Sequence, residues 1–195
     1  MSRKSSAERQ QEIVQAVLDL IAEQGVQGVT MARIADRVGI TEAALYRHFR
    51  GKMEIVAATI DTTFDELWAM LTASAGSGTT CEMLKNVLIA HLRFIEKRPG
   101  MARILFSDEV HFNSPALRKK LFQRGEQVAS FVAGLLHAGS AAGELQANLD
   151  VKNATVLYRG IVQAQVLLWA HTEKKGGLAN SAAGIWTLYE KAIRP

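Results

Sequence analysis

The chain has 195 residues, of which 48% are hydrophobic and 22% are charged, so it has enough apolar material for a core and is not a disordered chain. The formal net charge of +4 excludes a histone-like polycation, although it permits a local basic patch. A single cysteine, Cys81, excludes an internal disulfide framework.

Helix-forming residues are plentiful throughout, and no sustained alternation of apolar and polar residues indicates a strand. Capping residues and apolar spacing predict nine helices, three short ones followed by six that form a bundle. In chain order they cover about residues 5–24, 31–38, 41–49, 52–73, 79–98, 101–110, 115–138, 150–172 and 179–193, with a turn at 174–177. The predicted fold class is therefore all-α.

The positive charge is concentrated in one stretch. Residues 30–52 carry a net charge of +3, from Arg33, Arg37, Arg47, Arg50 and Lys52 against Asp36 and Glu42. Such a patch is typical of phosphate binding, although a solvated charged face is the alternative interpretation.

The same stretch has the pattern of a helix-turn-helix. In VTMARIADRVGITEAALYRHFRGK, residues 29–52, two short helices flank a tight turn at Gly39 and Ile40. In such motifs the first helix crosses the DNA backbone and the second enters the major groove. Ala43 and Ala44 are small enough to let that second helix approach base edges closely, and Arg47 has the chemistry either to read guanine or to hold a phosphate. The alternative is a small helical piece of core.

These residues, above all Leu45-Tyr46-x-His48-Phe49-x-x-Lys52, resemble the N-terminal signature of the TetR family of transcriptional regulators. The resemblance covers about residues 8–60. It implies a three-helix DNA-binding domain over residues 1–52, followed by a six-helix effector-binding and dimerisation domain over 53–195. Members of the family are mostly dimeric repressors that leave their operators when a small molecule binds.

Matched position by position, the resemblance implies that Tyr46, His48 and Lys52 hold the phosphate backbone of double-stranded operator DNA. Glu42 has the chemistry to accept a hydrogen bond from cytosine or to favour the helix N-terminus. The full set of candidate DNA-binding residues is Thr30, Arg33, Thr41, Glu42, Ala43, Ala44, Tyr46, Arg47, His48 and Lys52.

The second domain is expected to hold the effector. Ligand pockets are mostly apolar with a few polar anchors, so we expect a hydrophobic or amphipathic molecule. The alternative is that the same residues form ordinary core. The candidate lining residues are Trp68, His91, Phe94, Met101, Leu105, Phe106, Phe112, Phe131, Gln163 and Leu167.

The last two helices are the expected homodimer interface, as in the family. A two-fold dimer places two recognition helices about 34–36 Å apart, the spacing of successive major grooves. The apolar residues expected to contribute are Val156, Leu157, Ile161, Val166, Leu168, Ile185, Leu188 and Tyr189, with Gly160 and Gly184 allowing close approach.

Other classes of function find little support. Nucleotide-binding, zinc-protease and serine-hydrolase motifs are missing from the sequence, and Asp108, Glu109 and His111 fit a polar helix end better than a metal site. We therefore predict no enzyme activity, no cofactor and no metal. The alternative functions are a helical small-molecule-binding or partner-binding protein without operator DNA activity. Neither a signal peptide nor an apolar run of about 18 residues is evident, so we expect a cytoplasmic protein without a membrane partner.

Overall fold

The structure is a computed structural model that describes residues 6–171, 177–180 and 182–195. Within these ranges it contains ten α-helices and no strand, which confirms the all-α prediction. The helices are α1 (Ser6–Gln24), α2 (Met31–Val38), α3 (Glu42–Tyr46), α4 (Lys52–Ala75), α5 (Thr80–Glu96), α6 (Pro99–Leu105), α7 (Asp108–His111), α8 (Pro115–Ala141), α9 (Val151–His171) and α10 (Ala182–Ile193). The predicted helix start at residue 5 and most of the predicted turn at 174–177 lie outside the described residues.

Seven helices, not the predicted six, follow the N-terminal three in the described part of the chain. The predicted helix over residues 101–110 is in fact two helices, α6 and α7, separated by Phe106 and Ser107. At this break the imidazole Nε2 of His111 donates to the carbonyl oxygen of Leu105 at 2.6 Å. Neither glycine nor proline marks the position, and Ser107 is the N-cap of α7.

The helices form two compact units. Unit 1 comprises Met1–Asp65 and Arg98–Phe122, and unit 2 comprises Glu66–Lys97 and Gln123–Pro195. This division does not follow the predicted boundary after residue 52, because α6 packs on α1 and joins the N-terminal helices. The functional division into residues 1–52 and 53–195 stays a prediction.

Unit 1 is built around α1, which packs against α2 and α6, while α2 packs against α3. Ile34 of α2 and Leu45 of α3 are completely buried, and each such side chain contributes about 2 kcal/mol of burial free energy. The N-terminus of α6 lies so close to α1 that a Cβ atom on Gly100 would stand 2.1 Å from the carbonyl oxygen of Leu18. Only glycine fits at this contact.

Unit 2 is held together by α5, α9 and α10. The buried Tyr158 of α9 donates its hydroxyl to the carbonyl oxygen of Leu84 at 3.0 Å, and Tyr189 of α10 donates to Ala154 at 2.9 Å. Burial raises the pKa of both tyrosines, so each hydroxyl keeps its proton and remains a donor.

Candidate DNA-binding surface

The turn between α2 and α3 has helix-turn-helix geometry. Gly39 ends α2 with a φ of 72°, the left-handed conformation that glycine adopts without steric cost. The Ile40 amide then donates to the carbonyl oxygen of Ala35 at 2.9 Å. Thr41 begins α3, because its hydroxyl oxygen accepts from the Ala44 amide at 3.2 Å. Hydrogen bonds on both sides of the turn thus fix the direction in which α3 leaves α2.

One face of α3 is buried and the other is open to solvent. Leu45 is completely buried and joins α3 to the core of unit 1. Ala44 is half-buried, and the exposed residues are Thr41, Glu42, Ala43, Tyr46, Arg47 and His48. A short helix with exposed small residues near its start has the shape that close approach to base edges requires.

Three hydroxyl-bearing residues of the candidate DNA-binding set are exposed to solvent. The Tyr46 side chain is 54% exposed, although it follows the fully buried Leu45. Thr30 and Thr41 are exposed N-caps, and the Thr30 oxygen accepts from the Arg33 amide at 3.2 Å. A capping hydroxyl uses its oxygen as the acceptor, so its own proton is left for another partner.

Two of the five basic side chains in residues 30–52 brace α2 against α1. The Arg37 guanidinium donates twice to the Glu23 carboxylate, at 3.0 and 2.8 Å, and this hydrogen bonding lowers the pKa of Glu23. Arg33 donates to the carbonyl oxygen of Gly28 at 2.8 Å and to the Gln24 side chain. Arg33 thus has a structural role that the sequence did not indicate, and its role in DNA binding stays a prediction.

Lys52, at the start of α4, faces an acidic residue that the sequence did not pair with it. Its Nζ lies 4.0 Å from Oε1 of Glu109 on α7, and both side chains are 24% exposed. The two residues are far apart in the chain, so only the packing of α7 within unit 1 reveals the contact. A phosphate bound by Lys52 would have to compete with this carboxylate.

Two of the polar residues of α7 have partners in the structure. Glu109 faces Lys52, and the His111 ring is hydrogen-bonded to the Leu105 carbonyl oxygen. Among the described residues no three metal-ligating side chains converge. Likewise, no helix in the described ranges is long and apolar enough to cross a membrane.

The candidate effector residues are divided between the two units. Four lie in unit 1, where Met101 is buried, Leu105 is half-buried, and Phe106 and Phe112 are exposed to 41% and 76%. In unit 2, Trp68 and Phe131 meet edge to face with their centroids 5.5 Å apart. The remaining four also lie in unit 2, where Phe94 is buried, His91 is half-buried, and Gln163 and Leu167 are exposed. Their common role as a pocket stays a prediction.

Unit 2 also has a surface groove of about 880 Å³ between α8, α9 and the loop that joins them. Polar, small and aliphatic residues line it, and the Arg159 guanidinium meets the Glu126 carboxylate there at 2.5 Å. This groove contains none of the candidate effector residues, so it is not the predicted apolar pocket.

Exposed apolar side chains lie on both α9 and α10. They are Val156, Leu157 and Leu168 on α9 and Leu188 on α10, each 58–68% exposed. A Cβ added at Gly160 or Gly184 would meet no atom within 4 Å, so both positions are open to close approach. Val166 and Tyr189, also expected at the dimer interface, are instead buried in unit 2 and are unavailable for it.

The all-α fold with an N-terminal helix-turn-helix defines a helical regulator with an exposed recognition helix. Residues 13–59 match the model of the bacterial regulatory proteins of the tetR family, and residues 77–171 match the tetracyclin repressor-like C-terminal domain. The chain therefore belongs to the TetR family. Regulators of this family are non-enzymatic, which confirms the prediction that the chain is not an enzyme.

The chain is 34% identical over 137 residues to the nucleoid occlusion factor SlmA of Actinobacillus pleuropneumoniae, a match that covers 69% of this chain and 64% of that relative. Its fold is similar to that of FadR from Bacillus subtilis, solved in complex with stearoyl-CoA, with a TM-score of 0.82 at 22% identity over 94% of this chain and 99% of that one. The ketosteroid regulator KstR2 of Mycobacterium tuberculosis gives a TM-score of 0.76 at 20% identity, covering 98% and 97% of the two chains.

Proposed function

We propose that this chain is a dimeric transcriptional repressor that binds operator DNA through α3 and releases it when a hydrophobic or amphipathic effector binds. The observation that carries the proposal is the exposure of Ala43 on α3 and of Arg47 at its C-cap, within a helix-turn-helix whose opposite face is anchored by the buried Leu45. The exposed face is free to enter a major groove without disturbing the core of unit 1.

In this proposal the DNA contacts fall into two kinds. Tyr46, His48 and Lys52 hold the phosphate backbone, which positions the domain without reading sequence. Ala43 and Arg47 approach base edges, the first by contact with a thymine methyl group and the second by hydrogen bonds to guanine. Since Arg37 is paired with Glu23, we expect it to contribute less to phosphate binding than its charge suggests.

Dimerisation through α9 and α10 is supported by their exposed apolar face. Four large apolar side chains stand 58–68% exposed on these two packed helices, and an exposed apolar patch typically marks an interaction site. A two-fold dimer has two α3 helices, one for each half-site of a palindromic operator.

The effector response follows from linkage. A molecule that binds unit 2 lowers operator affinity only if it binds the DNA-free arrangement more tightly than the DNA-bound one. Support for an apolar effector comes from the half-buried Trp68–Phe131 pair and from the similarity to FadR, which was solved with stearoyl-CoA.

The first experiment is fluorescence anisotropy with duplex DNA from the promoter nearest the gene, titrated from 50 to 200 mM salt. We expect affinity to fall steeply with salt, as phosphate-driven binding requires. Arg47→Ala should either weaken binding to all sequences or relax one base position, and the difference assigns its role. The matched control is Lys152→Ala, an exposed cation of unit 2 that should leave binding unchanged. Salt-insensitive binding, or none, would contradict the proposal.

The identity to SlmA favours a second candidate function, in which DNA binding serves nucleoid occlusion instead of transcription. The two functions predict different distributions of the protein on the chromosome. Chromatin immunoprecipitation should find a few promoter sites for a repressor, and many dispersed sites for an occlusion factor, with no change in transcript levels when the gene is deleted.

A further inference from the structure

His91 of unit 2 is a half-buried residue whose ring carries a sealed polar atom without a partner among the described residues. It lies on α5, and the residues one turn before and after it on the same face are Val87, Leu88, Phe94 and Ile95, all buried. Its Nδ1 is sealed from solvent and has no hydrogen-bond partner among the described residues. Buried polar atoms without a partner are rare in native proteins, so each one calls for an explanation.

Only part of His91 is sealed from solvent. The residue as a whole is half-buried, and of the two ring nitrogens Nδ1 alone is sealed without a partner. Burial lowers the pKa of the imidazole to about 4, so the ring is neutral at pH 7. A neutral imidazole presents one N–H donor and one lone-pair acceptor, and the sealed Nδ1 lacks a partner in whichever of these two roles it takes.

We infer that His91 is the hydrogen-bonding anchor of the effector site in unit 2, and that it takes a neutral oxygen, the hydroxyl or carbonyl of an otherwise apolar molecule. The inference rests on the effector response proposed above and names the chemical class of that effector. An oxygen of this kind supplies the partner that the ring lacks, and the molecule's apolar body contacts the buried face of α5.

A charged ligand group fits this position poorly. A carboxylate or an ammonium group placed beside a neutral ring among apolar side chains loses its hydration without gaining a counter-charge. The cationic residues of α5 do not offer one, because Lys85 and Arg93 are exposed. The site therefore selects against fatty carboxylates and amines of the same length.

The test uses four probes of one chain length with the full-length protein: 1-nonanol, 2-nonanone, 1-chlorononane and nonanoate, each titrated by isothermal calorimetry. We expect the alcohol or the ketone to bind about five- to tenfold more tightly than the chloroalkane, the effect of one net hydrogen bond. His91→Phe should remove this preference, and His91→Gln, which keeps a neutral hydrogen-bonding group, should retain part of it. The matched control is His137→Phe, an exposed histidine that lines the α8–α9 groove, and it should keep the full preference.

Several results overturn the inference: neither oxygen-bearing probe binds, nonanoate binds most tightly, or His91→Phe keeps the preference. Loss of the preference in His137→Phe instead would move the site to the groove. DNA anisotropy on the same samples separates the two proposals. Selective probe binding without DNA binding refutes the repressor and leaves the anchor standing, whereas DNA binding without selectivity refutes the anchor alone.

Discussion

The contact between Lys52 and Glu109 predicts a specific gain of DNA affinity on mutation. Lys52 belongs to the predicted phosphate-binding set, and Glu109 is the carboxylate 4.0 Å from its Nζ. Binding a phosphate through Lys52 requires the ammonium group to leave this carboxylate. Glu109→Gln removes the competing charge while nearly preserving side-chain volume, so we expect it to tighten DNA binding.

The magnitude follows from the distance and the exposure of the pair. Two unit charges 4 Å apart interact by about 1 kcal/mol in water and by about 4 kcal/mol at the effective dielectric near a protein surface. Both side chains are partly exposed and the separation is at the long end for an ion pair, which favours the lower figure. Measured pairs of this type contribute about 0.2–1 kcal/mol. A gain of about 0.5–1 kcal/mol corresponds to DNA binding that is about two- to fivefold tighter.

The assay is fluorescence anisotropy with promoter DNA at 50, 100 and 200 mM salt. The control is Asp108→Asn, which removes the same charge from the neighbouring, exposed position of α7 and so measures the general loss of repulsion. Glu109→Gln should increase DNA affinity more than Asp108→Asn does. This difference in affinity should vanish when Lys52 is also replaced by glutamine. Equal effects of the two variants, or weaker binding by Glu109→Gln, would refute the pairing as a competitor of phosphate.

Three further predictions test the fold and the assembly. Gly100→Ala should lower the free energy of unfolding by about 1–3 kcal/mol in urea denaturation, because its Cβ would overlap a backbone carbonyl of α1. The control Gly134→Ala lies in open space on α8 and should raise the free energy of unfolding by about 0.5–1 kcal/mol. Similar changes in the two variants would contradict the close contact at Gly100. The pKa of Glu23 is lowered by its hydrogen bond to Arg37, so the pair contributes stability above the ordinary pKa of 4.5, and this contribution is lost as the pH falls through the lower folded value. Glu23→Gln should therefore be less stable than wild type at pH 7 and should approach it in acid; a difference independent of pH would show that the charge is not involved. Leu188→Glu should halve the mass measured by light scattering at micromolar concentration without loss of helical circular dichroism, and an unchanged dimer mass would exclude α10 from the interface.

Much of the fold could be predicted because its signals are local. The turn between α2 and α3 depends on Gly39 and on the N-cap Thr41, and each acts on backbone groups within five residues. The capping box of Thr79 and Glu82 is local in the same sense, and the structure contains both of its hydrogen bonds. The break between α6 and α7 is not predictable in this way, because no glycine or proline marks it, although in the structure the His111 ring is hydrogen-bonded across it to Leu105.

The sequence predicts which positions form the candidate DNA-binding surface, but it does not show which of their charged side chains are already paired within the protein. Helical spacing separates Leu45 from Ala43 and Arg47, because residues on opposite faces of a short helix cannot all be buried. Nothing in the spacing shows which cations already have partners. Arg33 and Arg37 are bonded to residues of the α1 region, 5 to 14 positions earlier in the chain, and Lys52 faces a residue on α7.

Local sequence signals are enough to indicate the helical class, the helix-turn-helix and the family, because capping, periodicity and motif spacing act over a few residues. Only the packed fold shows which charges are paired, that residues 98–122 pack with the N-terminal helices, and that the polar Nδ1 of His91 has no partner among the described residues. The physical reason is that burial and pairing are properties of surfaces brought together from distant parts of the chain, and these surfaces exist only once the helices have packed.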